Sequence, residues 1–488
     1  AEVARRFCER PLPARLMTDL VHIVEAVTEP LAVRSSSLLE DSQHQPFTGV
    51  YETLMLRNNA WSLAERLEAA IRAIKRVFAS TFMQHTKAYL KATPYRLEEE
   101  KMAVMLQRIV GAPHGSLFYP DFSGVLRTHN FYPSPPMTAD DGIAAVALGM
   151  GRAVVEGDAC LRFSPRYPQH ILEFASTEDM LATTQREFWA LSMDADRGVD
   201  AMREQSFGLE IAERDGTLDL VGSTYSPEND IVYDGVARSG PKLVTFAPVL
   251  KLEMFPLAEI LRSLKEVGSE GMGSPVEIEF AVNTRRAPDR PQEFGFLQMR
   301  PLALFRETEL LDLDEIDRTH ALCWSSQVLG NGQVDGIRDL VVVDFQRFER
   351  ARSHEAALEV GRLNGLLLAS KTPYILIGVG RWGSRDPWLG IPVNWEQVSG
   401  AQVIIEAGLR DLKVTPSQGT HFFQNLTSFN VGYFTVNPIN GEGFVDWDWL
   451  DAQRALSEQA HVRHLQLDQP VVVKMSGRTG DGVILKPA

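Results

Sequence analysis

Residues 275–302 read PVEIEFAVNTRRAPDRPQEFGFLQMRPL, and they carry the strongest structural signal in this sequence. Two runs with alternating apolar side chains, PVEIEFAVN (275–283) and FGFLQMRPL (294–302), flank a polar segment. Alternation with a period of two is typical of strands, and a polar connection between two strands is typical of a hairpin. We therefore predict an antiparallel β-hairpin over these residues.

The hairpin carries polar side chains at alternate positions of both strands. Glu277 and Glu279 point to one face, because neighbouring residues of a strand face opposite sides. Gln298 and Arg300 have the same spacing in the second strand, so the four side chains are predicted to form one polar patch. Two carboxylates on one face are costly unless they are solvated, paired or bound to a cation, and Mg²⁺ prefers such ligands together with substrate phosphates. The alternative is the solvated outer face of an antiparallel hairpin.

A second polar signal lies in PLAVRSSSLLEDSQHQPFTGVYET, residues 30–53. Arg34 offers forked guanidinium donors and Ser35 offers a short hydroxyl donor, a combination that suits phosphate oxygens. Gly49 lies fourteen residues after Ser35 and would let backbone amides approach a polyphosphate closely. The segment therefore predicts a phosphate site. The alternative is an ion pair across a loop between Arg34 and the Glu-Asp dipeptide at 40–41.

Composition and charge restrict the class of protein. The chain has 488 residues, 44% hydrophobic and 23% charged, which is ordinary for a globular protein of about two to four compact units. A formal net charge of −15 argues against a protein that wraps nucleic acid. The sequence lacks a run of about 18 apolar residues, so we predict no membrane helix. Cys8, Cys160 and Cys323 lack disulfide or zinc spacing, so we expect reduced thiols in a cytoplasmic protein.

Patterns outside the hairpin predict a large first domain. They predict helices over residues 12–27, 61–90 and 245–268 and a buried strand over 103–111. Gly268 is expected to close the third helix. The acidic, aperiodic residues 303–320 predict a domain boundary. We place the first domain at 1–310, with lobes of about 1–135 and 136–310.

Strands and helices alternate beyond the boundary, which predicts a smaller α/β domain of unknown role over residues 320–488. Its expected strands are LVVVDF (340–345), YILIGVG (374–380), QVIIEAG (402–408), VGYFTV (431–436) and PVVVKM (470–475), with a helix over 350–370. The overall class is therefore α/β.

Two patterns in the second domain have both a functional and a structural interpretation. Gly378, Gly380 and Gly383, with Glu406 further on, imitate a dinucleotide fingerprint, but prolines and a glycine interrupt the helix that the fingerprint requires. His421 suits a phosphoryl acceptor or a general base, because imidazole titrates near neutrality. The structural interpretation of His421, a hydrogen-bonded histidine under a loop, is the one we adopt.

Ordered segments over residues 30–302 resemble the nucleotide-binding domain of the phosphoenolpyruvate synthase and pyruvate phosphate dikinase family. The matching segments are Arg-Ser-Ser with Glu-Asp (34–41), FTGV (47–50), AIKRVFASTF (73–82), MLQR (105–108), ALGMGRAVVEGDA (147–159) and the two strands of the hairpin. The resemblance implies a two-lobed, ATP-grasp-type domain.

The resemblance also implies roles for individual residues. Arg34 and Arg300 would act in catalysis on ATP, mostly by positioning and charge neutralisation. The nucleotide and its metal would be bound by Arg34, Ser35, Gly49, Gln107, Glu277, Glu279 and Gln298. Among these, Glu277 and Glu279 would hold Mg²⁺. The phosphoryl acceptor is unidentified, and a histidine on another domain or chain is one candidate.

This sequence departs from the family pattern at several points. The family's Gly-Gly-Lys segment is not found ahead of Arg34, and Arg152 stands where the family has an acid. The phosphohistidine domain and the barrel that handles pyruvate have no counterpart in these residues. We therefore expect an ATP- and Mg²⁺-dependent phosphotransferase module rather than a whole synthase or dikinase. The alternative is a non-catalytic nucleotide-binding regulatory or scaffold protein that retains the fold.

Overall fold

The structure is a computed structural model that divides into two units. The first unit comprises Ala1–Val155 and Ala159–Leu302, and the second comprises Glu156–Asp158 and Ala303–Ala488. Among the described residues, no helix combines the length and the apolar character that crossing a bilayer requires. The structure describes residues 2–37, 40, 50–91, 100–171, 174, 176–194, 202–284, 291–302, 318–384, 386, 388–408, 414, 416, 420–438, 441–477 and 479–487.

Helices and strands are mixed throughout the first unit, which confirms the predicted α/β class. The helices are α1 (Glu2–Glu9), α2 (Ala14–Ala26), α3 (Leu63–Ser80), α4 (Gln84–Lys91), α5 (Arg152–Glu156), α6 (Thr177–Thr183), α7 (Leu209–Arg214), α8 (Leu218–Val221), α9 (Ala247–Leu250) and α10 (Leu257–Met272). The strands are β1 (Leu31–Ser37), β2 (Leu54–Leu56), β3 (Met102–Arg108), β4 (Ala112–His114), β5 (Leu117–Tyr119), β6 (Phe122–Arg127), β7 (Ile143–Leu148), β8 (Leu161–Phe163), β9 (Glu187–Ser192), β10 (Gln205–Gly208), β11 (Gly222–Ser226), β12 (Ile231–Asp234), β13 (Lys242–Val244), β14 (Val276–Asn283) and β15 (Glu293–Pro301).

A three-stranded antiparallel sheet in the order β2-β1-β3 carries Arg34. Leu31 and Val33 of β1 point into a core that α2 and α3 complete with Val24 and Ile74. The alternate residues of β1 face the other way, because side chains of a strand alternate between its two faces. Arg34 therefore lies on the face of this sheet that is turned away from the helices.

A five-stranded antiparallel sheet in the order β15-β14-β6-β7-β8 carries the predicted hairpin at its edge. Val276, Ile278 and Phe280 of β14 point into the largest core of the unit, so Glu277 and Glu279 occupy the opposite face. The hairpin is confirmed. Strand β6 pairs with β7 and β14, so the sheet continues across the lobe limit that we predicted near residue 135. Two further sheets, β10-β9-β5-β4 and β12-β11-β13, complete the unit.

Helix boundaries differ from the sequence prediction in two places. The helix predicted over 61–90 is two helices, α3 and α4, and the helix predicted over 245–268 is α9 and α10. Gly268 does not close α10, which continues to Met272 and ends at Gly273 with a φ of 62°. A Cβ on Gly268 would lie 3.1 Å from Val276 Cγ2. The glycine therefore serves the close packing of α10 on β14 rather than a helix end.

The second unit is built on one large mixed sheet. Its helices are α11 (Ser353–Ala369), α12 (His421–Ser428) and α13 (Trp447–Ala452). Its strands are β16 (Ala321–Ser325), β17 (Val328–Leu329), β18 (Gly332–Val343), β19 (Tyr374–Val379), β20 (Arg381–Trp382), β21 (Gly390–Ile391), β22 (Ala401–Ala407), β23 (Gly432–Val436), β24 (Gly443–Val445), β25 (Ala455–Glu458), β26 (Arg463–Met475) and β27 (Gly482–Leu485). Strands β18, β19, β22 and β23 are parallel neighbours, whereas β26, β27, β16 and β24 continue the sheet in antiparallel fashion. Each strand predicted for this unit overlaps one of these.

Candidate functional site

Arg34 connects the two main sheets of the first unit. Its Nη1 donates to Oε1 of Gln107 on β3 at 3.5 Å, and its Nη2 donates to Oε1 of Gln298 on β15. Gln107 Nε2 in turn donates to the carbonyl oxygen of Leu297 at 3.0 Å. In the described part of the chain, the hydrogen bonds of Arg34 therefore go to two glutamines, and the predicted alternative pair with Glu40 does not form.

A β-bulge shapes the edge of the larger sheet at this point. Glu279 lies opposite Gln298, but the next residue of β14, Phe280, lies opposite Phe296, so that Leu297 is skipped. Bulges leave a backbone residue without its partner in the ladder and bend the strand. Here the carbonyl of Leu297 is the acceptor for Gln107. The bulge thus supplies the backbone group that ties β15 to β3.

Ser35 does not lie beside the Arg34 guanidinium. Its register partner is Val104, on the helix-covered face of the sheet, and the residue is buried. Arg34 and Ser35 are neighbours in a strand, so their side chains point to opposite faces. The predicted phosphate contact from the Ser35 hydroxyl is therefore not supported by its placement. Gly49 and Asp41 lie outside the described residues.

The two glutamates of β14 have different surroundings. Glu277 is 1% exposed and lies between two arginines: its Oε2 is 2.6 Å from Nη2 of Arg127 on β6, and its Oε1 is 2.8 Å from Nη2 of Arg300 on β15. Glu279 keeps 20% of its side chain exposed, and its Oε1 is 2.9 Å from the same Nη2 of Arg300. The alternative of a solvated hairpin face is therefore wrong for Glu277.

The electrostatics of this cluster follow from burial and close opposite charges. Burial alone would raise the pKa of the Glu277 carboxyl, but the adjacent Arg127 and Arg300 guanidinia hold that pKa below its ordinary value. Burial acts against the charged form of Arg300, whereas Glu277 and Glu279 raise its pKa. For Arg127, burial is the larger effect and lowers the guanidinium pKa from its ordinary value. Glu277 is thus ionised at neutral pH, as both arginines require.

The carboxylate oxygens available to a cation are few. Both oxygens of Glu277 are occupied by guanidinium groups. Across the described ranges, no three His, Cys, Asp or Glu side chains are grouped so as to hold a metal ion between them. A cation bound here would thus need oxygens from its ligand besides those of Glu279 and the Gln298 amide, as Mg²⁺ commonly has.

Two groups of residues at the site were not anticipated from the sequence. Arg127 ends the strand FSGVLR, and its pairing with Glu277 depends on the register of two strands that are distant in sequence. Glu100 Oε2 accepts hydrogen bonds from Ser37 Oγ at 3.2 Å and from the Tyr51 hydroxyl, whose pKa is raised by burial and by Glu100. No local pattern predicts either partner, because both are brought in by tertiary contacts.

The glycine pattern of the second unit has a structural role. Strand β19 leads through Gly380, with a φ of 78°, into β20 rather than into a helix. The carboxylate of Glu406 accepts from the backbone N–H of Trp382 at 2.7 Å, and the Trp382 ring lies 2.3 Å from where a Cβ on Gly378 would be. The described part of the segment thus contains a strand where the fingerprint requires a helix.

His421 is the first residue of α12. Thr420 is the N-cap of this helix, and its side chain accepts from the backbone N–H of Phe423 at 3.1 Å. The remaining residues of α12 are buried. Neither interpretation of His421 is tested by this placement, and the structural one stays a prediction.

The first unit is thus a multi-sheet domain in which an arginine, two amides and a partly exposed acid meet between two of the sheets, a class that suits nucleotide binding. The family model of the pyruvate phosphate dikinase AMP/ATP-binding domain matches residues 1–320 of the 488. The chain belongs to this family, and its nucleotide-binding domain has an ATP-grasp-type fold.

A bacterial protein gives a further, shorter match. The protein named "Uncharacterized phosphotransferase YvkC", from Bacillus subtilis (strain 168), is 30% identical over 131 residues. The match covers 26% of this chain and 13% of that protein, so the chain corresponds to a small part of that protein's length.

Proposed function

We propose that the first unit binds ATP together with Mg²⁺ and transfers a phosphoryl group from it to an acceptor. The observation that carries the proposal is the hydrogen bond from Arg34 on β1 to Gln298 on β15. Gln298 is the direct cross-strand neighbour of Glu279. A guanidinium, an amide and a partly exposed carboxylate are thereby gathered between two sheets. Polyphosphate oxygens suit the first, and a divalent cation suits the other two.

The roles of the side chains follow from their placement. Phosphoryl transfer leaves little covalent chemistry to the protein, so that positioning and charge neutralisation account for most of the catalysis. Arg34 would bind phosphate oxygens from the smaller sheet, and Arg300 would add positive charge from the larger one. Gln107 would hold the edge strands β3 and β15 together, as its bond to Leu297 does in this structure.

Mg²⁺ fits the donor set if most of its ligands come from the nucleotide and from water. Glu279 is the partly exposed carboxylate of the cluster, and the Gln298 amide oxygen beside it, which accepts from Arg34, has a second lone pair for a cation. Mg²⁺ in nucleotide sites is commonly held by one or two carboxylates plus phosphate oxygens. When bound, the ion would neutralise charge on the phosphates during transfer. We assign Glu277 to Arg300 rather than to the ion, because both of its oxygens are already paired.

The acceptor and the setting complete the proposal. We propose that the acceptor lies on another domain or another chain, with a histidine as one candidate. The setting that we propose is the reducing cytoplasm, as the spacing of Cys8, Cys160 and Cys323 in the sequence predicts.

A non-catalytic nucleotide-binding protein is the second candidate, and Arg152 is the observation in its favour. The Arg152 guanidinium stacks on the Trp189 ring, 4.1 Å from its centroid, and its Nη1 lies 3.8 Å from a Glu204 carboxylate oxygen. The family has an acidic residue at this position, and an arginine held by these contacts does not replace its carboxylate.

A binding and a turnover measurement together test the two candidates. Calorimetric titration of the full chain with ATP, with and without Mg²⁺, should show binding that Mg²⁺ strengthens. Phosphorus NMR of the same mixture should then show loss of the γ-phosphate once an acceptor is added. Tight Mg·ATP binding without turnover under any acceptor would support the non-catalytic candidate, and absence of binding would contradict both.

A further inference from the structure

A row of alternating charges crosses three neighbouring strands of the larger sheet. Arg127 on β6 and Arg300 on β15 are the direct cross-strand neighbours of Glu277 on β14, one on each side. Arg127 Nε and Nη2 both lie 2.6 Å from Glu277 Oε2, and Arg300 Nε lies 2.9 Å from Oε1. The Arg300 guanidinium then continues to Glu279. The order of the row is Arg127, Glu277, Arg300, Glu279.

Exposure rises along this row, which gives it a direction. The exposed fractions of the side chains are 1% for Arg127, 1% for Glu277, 7% for Arg300 and 20% for Glu279. The row therefore begins in the interior of the unit and ends at the acid that we propose as the cation ligand. Arg127 lies at the interior end, where it contacts Glu277 and is screened from solvent.

Stability alone is a poor explanation for such an arrangement. A buried ion pair or triad is often no more stabilising than apolar side chains of the same volume, because desolvation of the charges offsets their attraction. The same sheet face continues into apolar packing, since Val125 of β6 and Ala145 of β7 belong to a small hydrophobic cluster. Apolar residues would therefore be compatible with this face at the position of Arg127.

We propose that Arg127 is a positioning residue that holds Glu277 for Arg300, so that Arg300 is fixed beside the proposed nucleotide and Glu277 is kept away from the cation. With Arg127 in place, one oxygen of Glu277 is occupied and the other is directed at Arg300. Without it, the carboxylate would lose the guanidinium that holds its Oε2 and could turn toward a cation, and Arg300 would lose its fixed partner. The inference rests on the proposed function, since it concerns the same site.

The test compares Mg·ATP affinity in three variants of the full chain by calorimetry, with thermal melting as a check of folding. Arg127→Met should weaken Mg·ATP binding by about tenfold or more, because Glu277 then no longer fixes Arg300, the partner of the proposed cation ligand Glu279. Arg127→Lys should restore part of this loss, because it keeps the charge but not the two-donor geometry. Arg166→Met is the control: the exposed Arg166 side chain pairs with Asp141 at 3.0 Å and makes no contact with the row, so its loss should leave the affinity unchanged.

A double variant separates positioning from simple stability. Arg127→Met combined with Glu277→Met removes both charges and so avoids leaving one buried charge alone. If Arg127 positions the site, this variant should melt near the wild type but still bind Mg·ATP about tenfold or more weakly, because Arg300 has lost Glu277. Wild-type affinity for Mg·ATP in the folded double variant, or in both Arg127→Met and Arg127→Lys, would overturn the inference. Failure of the wild type itself to bind Mg·ATP would instead count against the proposed function.

Discussion

Single residues at this site differ in role according to how their charges are compensated. Arg34 is compensated by no carboxylate among the described residues, and its donors rest on the neutral amide oxygens of Gln107 and Gln298. Arg300, in contrast, has two carboxylate partners, Glu277 and Glu279. A guanidinium with neutral partners keeps its full charge for an anion, which is why we expect Arg34 to make the stronger phosphate contact.

Replacement of Arg34 by alanine should therefore weaken nucleotide binding. Hydrogen bonds to charged groups contribute about 1.5–3 kcal/mol, which corresponds to about 10- to 100-fold in the Kd for Mg·ATP. The Kd is measured by calorimetry on the full chain. Arg72→Ala is the matched control, because Arg72 makes an exposed pair with Glu68 on α3. Equal affinities of Arg34→Ala and the control would count against the predicted phosphate contact.

Glu277 should give the fold a specific pH dependence. The pKa of its carboxyl in the folded state lies below the unfolded value of about 4.3. The ionised carboxylate therefore adds to the free energy of unfolding above about pH 4.3, and this contribution is lost as the pH falls through the folded-state pKa. Glu277→Gln should be less stable at pH 7 by about 3–5 kcal/mol, as expected when one member of a buried ion pair is removed.

Chemical denaturation of both proteins between pH 7 and pH 3 measures this dependence. The stability difference between the wild type and Glu277→Gln should shrink as pH falls below about 4.3, because the wild-type carboxyl then becomes neutral as well. A difference that stays constant over this range would show that the charge of Glu277 is not what stabilises the fold.

Elements were easier to predict from the sequence than the contacts between them. The hairpin of β14 and β15 was predictable because its alternation is local, and so was the common face of Glu277 and Glu279. The pairing of β14 with β6, and so the contact of Glu277 with Arg127, was not predictable, because the register between strands that are distant in sequence is not encoded in a local pattern. The break between α3 and α4 was also missed, since apolar residues continue at helical spacing across it.

For Ser35, a local rule was available in the sequence but was not applied: the alternation of side chains along a strand. The period of two that placed Glu277 and Glu279 together also places Arg34 and Ser35 apart, and the structure has Ser35 on the buried face. The glycine pattern at Gly378–Gly383 was correctly read against a dinucleotide site, because the prolines that follow it prevent the helix that such a site needs.

Close packing between strands makes a prediction at the scale of the sheet. A Cβ on Gly124 of β6 would lie 2.5 Å from Phe280 Cζ and 2.6 Å from the Ala145 carbonyl oxygen. Gly124→Ala should therefore destabilise the first unit by about 1–3 kcal/mol, the usual cost of overpacking. Gly271→Ala on α10 is the control: nothing lies within 4 Å of its Cβ position, and alanine favours the helix by up to about 1 kcal/mol. Equal melting temperatures of the two variants would contradict the packing described here.

The whole molecule consists of two units with separate cores. The cores of the first unit draw on β1, α3 and β14, and the core of the second draws on β18, β19 and β22. A sequence boundary was expected at 303–320, and the division between the units falls after Leu302. The glycine pattern of the second unit serves packing, since the Trp382 ring covers Gly378.

Separate cores should give two thermal transitions in scanning calorimetry of the full chain. Mg·ATP should raise the transition that Gly124→Ala lowers, because a ligand stabilises the unit that binds it, by about 2.7 kcal/mol at 100 times its Kd. The other transition should not move. An equal shift of both transitions, or a shift of the other one alone, would show that the nucleotide site is not confined to the first unit.

The affinity of Glu279→Gln for Mg·ATP tests most directly whether the two sheets enclose a nucleotide site. The substitution keeps the size of the side chain at the exposed end of the charge row but removes its negative charge, so calorimetric titration of the full chain should show affinity lower by about tenfold or more at an unchanged melting temperature. Glu293→Gln provides the matched control, since this acid lies on the paired strand β15 of the same hairpin but pairs with Arg108 instead. Mg·ATP affinity equal to that of the wild type and of the control would contradict the assignment of this site.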